Sequence, residues 1–163
     1  MSGPDIAVSL AAGDWATALP EAEDLCLRVA AVALGVADLP AERLEVSIVL
    51  ADDATVRDLN HRYRGQDRAT NVLSFAALDG GSPPPEGPIL LGDVVLAWET
   101  VAAEAVRDGK TLAQHLSHLV VHGVLHLLGY DHQVDGQATE MESLERALLG
   151  ALGVPDPYAA DEP

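Results

Sequence analysis

The sequence predicts an α+β fold: a small mixed β-sheet of about four strands packed against helices, with a central helix that bears histidines. Three observations predict it. Short apolar runs of strand character are interspersed with segments of helical length and period. One of those helices, residues 111–128, has little polar face, as expected of a helix buried on most sides. Apolar residues make up 48% of the 163 and charged residues 21%, which is the composition of a globular chain. A chain of this length buries roughly 70% of its unfolded surface around a single core. The expectation is therefore one domain over residues 1–163, with a proline-rich acidic tail frayed from about 155.

Taken in order, Ile6 to Leu10 alternates weakly and reads as a first strand. A helix from about Pro20 to Leu34 follows, with Gly35 as its stop signal. Glu45 to Leu50 reads as a strand, bounded by an acidic cap, Asp52 or Asp53, that opens a helix running to about Tyr63. Asn71 to Ala76 is a third strand, and Asp79 to Pro88, dense in glycine and proline, is a mobile surface loop. Ile89 to Leu96 is a fourth strand in which Gly92-Asp93 marks a bulge or a close backbone approach. Trp98 to Asp108 is helical with Gly109 as its stop. Thr111 to Leu128 forms the longer apolar helix ending at Gly129, and Ala138 to Leu152 forms a last amphipathic helix.

Charge and cysteine content exclude several classes of function. The net charge is −17, from 26 acidic and nine basic residues, which opposes broad nucleic-acid binding because that relies on neutralising phosphates. Four of the nine basic residues, Arg57, Arg62, Arg64 and Arg68, nevertheless fall within twelve positions, forming either a small positive site or a helix with solvated arginines. One thiol, Cys26, excludes an internal disulfide and any multi-cysteine zinc or iron–sulfur site, and suits a reducing compartment. The run MSGPDIAVSLAAGDWA has no basic region ahead of its apolar stretch, and Val29 to Ala37 is too short to span a bilayer. A cytoplasmic protein with no membrane partner is the expectation.

Five of the six histidines lie between His115 and His132. His122 and His126 are four apart on the predicted helix, so both rings project from one face and can reach one ion at about 2.0–2.1 Å. Gly129 ends the helix, and Tyr130-Asp131 can turn the chain back to bring His132 alongside. Three imidazoles plus an open water position describe a catalytic zinc site, with one Zn2+ per chain. His118 and His126 lie roughly 12 Å apart along a helix, too far to share an ion. His118 and His115 are expected in the core or behind the ligands, and His61 in the core. Asp131 and Asp93 are candidates to orient a ligand histidine through its second nitrogen; helix or turn caps are the alternative, and the sequence favours neither.

The stretch His122-Gly-Val-Leu-His126-Leu-Leu-Gly129-Tyr-Asp-His132 resembles the H-G-x-L-H-L-x-G-Y-D-H signature of the YbeY family of bacterial endoribonucleases and rRNA maturation factors. Upstream, Asn60-His-Arg-Tyr-Arg64-Gly-Gln-Asp-Arg-Ala-Thr-Asn-Val-Leu-Ser-Phe75 is similar to that family's N-x-x-x-R-x-x-D-x-x-T-[DN]-V-L-S-F segment. Leu91-Gly-Asp-Val-Val95 is similar to its L-G-D-I-V strand. The resemblance covers Glu45 to Gly153 and departs at Ala76, where the family usually has proline, and in the loop from Asp79 to Pro88. It implies a zinc-dependent hydrolase that cuts single-stranded RNA in 16S rRNA 3′-end maturation and ribosome quality control. It also implies metal ligation by His122, His126 and His132 and a catalytic role for Arg64. The implied partners are single-stranded rRNA, the small ribosomal subunit with its proteins, and the GTPase Era.

Physical chemistry agrees with these roles. Zinc can lower the pKa of a bound water to about 7 and polarise a phosphoryl oxygen. The planar arginine fork matches a phosphodiester and the charge that builds in its transition state. Gly65 and Gly92-Asp93 offer close approach to a substrate, with ordinary turn and bulge roles as the alternative. Two other functions compete. A metzincin-like metalloprotease shares H-x-x-x-H followed by glycine and a further histidine, but it needs a glutamate base directly after the first histidine, where this chain has Gly123. A non-catalytic ribosome assembly factor would hold its zinc structurally and use the arginines only to dock RNA.

Overall fold

The computed structural model describes residues 3–68, 70–78, 82–130 and 135–157. The chain runs through β1 (Asp5–Leu10), a single-turn helix α1 (Trp15–Ala18), α2 (Ala22–Leu34), a 3-10 turn (Ala41–Arg43) and β2 (Leu44–Ala51). It continues through α3 (Asp53–Arg64), β3 (Val72–Ala76), β4 (Ile89–Ala97), α4 (Trp98–Arg107), α5 (Leu112–Leu127) and α6 (Asp135–Ala151). The four strands form one mixed sheet in the order β1-β2-β4-β3, in which β1, β2 and β4 run parallel and β3 pairs antiparallel with β4.

Strand alternation separates two apolar layers. Leu44, Val46, Ile48 and Leu50 of β2 join the main core with α2 and α5, together with Met141 and Leu149 of α6. Val95, Ala97 and Leu73 face the other way, into a smaller cluster with Val56 of α3. On β4 the parity changes midway: Ile89 and Leu91 face the main core, and so do Val94 and Leu96. The change is made by a bulge, since Glu45 pairs with Leu90 and Val46 with Gly92, leaving one extra residue in β4. Gly92 sits there at φ 134°, and a Cβ on it would lie 2.0 Å from the Phe75 carbonyl oxygen. Both readings of Gly92, a bulge and a close backbone approach, therefore hold at once.

Several element ends differ from the sequence expectation. The turn of helix at Trp15 has no local signal; it is held because the buried Trp15 indole donates to the Ala51 carbonyl at 2.9 Å and packs edge-on against Trp98. α2 starts at Ala22, and Gly35 after it stays right-handed at φ −62°. α6 begins at Asp135, three residues before the expected Ala138. The tail is tied down as far as Pro157, where Arg146 pairs with Asp156 at 3.2 Å and Lys110 reaches the Pro157 carbonyl at 3.3 Å. The described part of the glycine- and proline-rich loop is held by Arg43, which donates to the carbonyls of Pro84 and Gly87 at 2.6 and 2.8 Å. Among the described residues, no helix is long and apolar enough to cross a membrane.

Candidate metal centre

Helix α5 is set by a capping box: Thr111 accepts from the Gln114 amide at 3.1 Å, and the Gln114 side chain accepts from the Thr111 amide at 3.0 Å. Those bonds satisfy N-terminal donors that burial would otherwise leave without partners. Between residues 115 and 127 every position is buried except His118, His122 and His126, which are half-buried. Spaced four apart, they form a single stripe along the one side of α5 that other elements leave partly open. The rings of His122 and His126 lie 4.7 Å apart between centroids and nearly perpendicular, at 74°. The preceding pair, His118 and His122, is wider at 6.3 Å.

The adjacent side of α5 explains Gly123. A Cβ at that position would fall 2.6 Å from Val94 Cγ1 and 3.3 Å from Ser74 Oγ, so the glycine is what lets the helix lie against the sheet. The residue after the first histidine faces β4, where a protease's glutamate base has no room. At the other end of α5, Gly129 takes φ 103°, and the amides of Gly129 and Tyr130 return to the carbonyls of His126 and Leu125 at 3.0 and 3.1 Å, closing the helix. His132, the third expected ligand, and Asp131 lie outside the described residues. Among the described residues, no group of three histidine, cysteine or carboxylate side chains comes together that could hold a metal.

A residue that sequence reasoning missed stands behind the stripe. Glu145 of α6 is 1% exposed, and its Oε1 lies 2.7 Å from His122 Nδ1 and 3.6 Å from His118 Nε2. Its signal was available: Met141 and Leu149, four residues to either side, are buried, so the glutamate interrupts the apolar stripe of α6. The donor set fits a zinc ion, because two imidazoles meet on one face and one of them is braced by a carboxylate on its far nitrogen. Asp93 does not contribute. It is exposed and lines the groove between the sheet and α3, with Thr55, Tyr63 and Phe75.

His115 behaves as expected of a core group. It is buried, and its Nε2 lies 2.9 Å from Glu104 Oε1, which also accepts from Asn71 at 3.0 Å. Burial pushes its pKa down, with the neighbouring Glu104 opposing the shift. His61, expected in the core, is instead on the exposed side of α3, because that helix covers the sheet with its Val56 side alone.

The arginine cluster divides in two. Arg57 is bidentate to Asp67 at 2.7 and 3.2 Å and Arg62 meets Asp58 at 3.3 Å, so these two charges are compensated. Arg64 and Arg68 have no carboxylate within ion-pair distance among the described residues. Arg64 is the last residue of α3, and its Nη2 donates to the Ser74 carbonyl of β3 at 2.9 Å, with the guanidinium 5.7 Å from the Phe75 ring centre. The Ser74 hydroxyl donates to the Gly123 carbonyl at 3.3 Å. Through that one residue, Arg64 is linked to the helix position next to His122.

The model of the family described as Endoribonuclease YbeY matches residues 14–153. The endoribonuclease YbeY of Paramagnetospirillum magneticum is 62% identical over 156 residues, covering 94% of this chain and 95% of that protein. Its counterpart in Rhodospirillum rubrum is 51% identical over 162 residues, covering 94% and 81%. Among solved structures, a Thermotoga maritima protein determined in solution is similar in fold, with a TM-score of 0.51 at 20% identity, covering 97% of this chain and 96% of that one.

Proposed function

Because the chain belongs to the endoribonuclease YbeY family, it is an endoribonuclease of rRNA maturation, and we propose that it works as a zinc enzyme cutting single-stranded RNA, with Arg64 as a catalytic residue. The observation that carries the proposal is the stripe on α5, where His122 and His126 meet on the one open side of an otherwise buried helix. His122, His126 and His132 would hold one zinc ion. When bound, zinc supplies Lewis acidity at a phosphoryl oxygen and acidifies water near neutral pH. The protein's own groups do the rest. Ser74 and Phe75 hold the Arg64 guanidinium from its carbonyl and ring sides, which would direct a charge with no acidic partner among the described residues at a phosphodiester and at the charge developing on it.

The remaining assignments follow from charge and size. With a net charge of −17, the surface repels a polyanion, so the RNA is delivered by partners: the small ribosomal subunit, its proteins and the GTPase Era. The 16S 3′ end is the proposed substrate, the cytoplasm the proposed location, and residues 1–163 one hydrolase domain. A metalloprotease is disfavoured by Gly123, whose missing Cβ is what allows α5 to contact Val94.

The test is single-turnover cleavage of a labelled single-stranded RNA by nuclease-free preparations, with zinc content measured on the same samples. Arg64→Ala should keep zinc and lose about 10²–10³ in rate, roughly 2.7–4 kcal/mol of transition-state stabilisation. His126→Ala should lose zinc and activity together. Arg64→Lys should recover only part, since an ammonium keeps the charge without the fork. Wild-type cleavage by Arg64→Ala, or its loss of zinc, would remove Arg64 from the catalytic role.

A further inference from the structure

We infer that Glu145 is a positioning residue of the metal centre: its carboxylate fixes the protonated nitrogen of His122 at Nδ1, so that Nε2 is the nitrogen offered to the ion. The inference rests on the zinc reading above and concerns a residue 23 positions from the histidine it acts on.

The first support is cost. A carboxylate 1% exposed loses its hydration and persists only with strong partners. The flanking Met141 and Leu149 show that packing at this level of α6 is met by apolar side chains. Glu145 therefore has a role beyond filling space. The second support is geometry. At 2.7 Å the Oε1–Nδ1 contact has the length of a charge-assisted hydrogen bond, while the same oxygen is 3.6 Å from His118 Nε2, beyond hydrogen-bond length. The carboxylate accepts and cannot donate when ionised, so the proton in that bond belongs to His122. A neutral imidazole protonated at Nδ1 carries its lone pair at Nε2. Histidine ligands are commonly braced in this way, which fixes ring orientation and raises basicity. Of the two aspartates that the sequence offers for this role, Asp93 lies on the other face of the sheet and Asp131 lies outside the described residues.

A second histidine–glutamate pair on the same helix provides an internal control. His115 meets Glu104 through Nε2 at 2.9 Å, at the far end of α5 from His126. Breaking it removes a histidine–glutamate contact of the same helix without touching a proposed ligand.

The experiment measures the zinc dissociation constant of the full chain by competition with a chromogenic chelator. Glu145→Leu, which keeps volume and removes the acceptor, should weaken zinc about 10- to 100-fold. Glu145→Gln, which keeps an acceptor oxygen without the charge, should fall between that variant and wild type, and Glu104→Gln should match wild type. If Glu145→Leu does not fold, the contrast between Glu145→Gln and Glu104→Gln decides. In parallel, nitrogen-15 NMR of the histidine rings in the zinc-loaded protein should show a slowly exchanging Nδ1 proton on His122 in wild type, and faster exchange of it in the Glu145 variants. A purely structural role would lower thermal stability while leaving zinc affinity and this proton unchanged. Zinc affinity within about twofold of wild type in both Glu145 variants overturns the inference, as does equal weakening by Glu104→Gln. A wild-type protein that binds no zinc instead overturns the zinc reading on which it stands.

Discussion

At the scale of single residues, contacts rather than residue type separate the histidines and glycines that matter. Gly123 is needed for an approach to Val94 that is shorter than side chains normally tolerate. Gly123→Ala should therefore be destabilising: overpacking costs about 1–3 kcal/mol, against a gain in helix propensity of about 0.8–1.0 kcal/mol. Val94 is fully buried and branched at Cβ, so it has few other rotamers to move into. Urea unfolding of both single variants and of the double variant with Val94→Ala should show the alanine at 123 costing less once Val94 is trimmed; additive costs would refute a Val94 clash. His115 gives a pH-dependent counterpart. Burial, with Glu104 opposing it, sets its folded pKa below the unfolded value of about 6.5. Its contribution to stability is thus complete above about pH 6.5 and is lost as pH falls through the folded pKa. With zinc removed by chelator, melting temperature should fall less between about pH 7 and 5 in His115→Gln than in wild type, and equal slopes would count against it.

At the scale of elements, the cap between β2 and α3 shows how local signals are used. The sequence offered Asp52 or Asp53. The structure uses both, for different helices. Asp52 caps its own helix α3, accepting from the Thr55 amide at 2.9 Å and hydroxyl at 2.6 Å; those bonds hold its pKa below the usual value. Asp53 instead caps α4, accepting from the Thr100 amide at 3.0 Å and hydroxyl at 2.8 Å, while Glu99 returns the favour by accepting from the Asp53 amide at 2.9 Å. Asp52→Ala and Asp53→Ala should each cost about 1 kcal/mol in denaturant unfolding. A helix-only view makes the second change neutral, so a neutral Asp53→Ala would show that the cross-helix cap is weak. Strand ends and the β4 bulge were legible because alternation and glycine placement are local. The turn at Trp15 was not, because a four-residue helix has no period of its own and depends on Ala51, 36 residues on.

At the scale of the whole molecule, charge decides how RNA is met. With Arg57 and Arg62 paired to carboxylates, Arg64 and Arg68 are the cations of the cluster that have no ion pair among the described residues, and the proposed site would offer these two to phosphates. Two phosphate contacts on a single strand give a slope of about −1.4 in log affinity against log salt, from about −0.7 each. Fluorescence anisotropy with labelled single-stranded RNA should return that shallow slope, and a slope several times steeper would show that further basic residues contact the phosphates. The sequence by itself determined the α+β class, the order of most elements, the histidine-bearing helix with His122 and His126 on one face, and the resemblance that implies a catalytic role for Arg64. These are legible because helical and strand periods, caps and turn residues act over a few positions. Only the tertiary structure decided that Glu145 meets His122, that Gly123 faces Val94, that Asp53 serves α4, and that Ser74 ties Arg64 to α5. Each of those contacts joins residues on different elements, and it is the packing of buried faces, not any local pattern, that sets which of them meet.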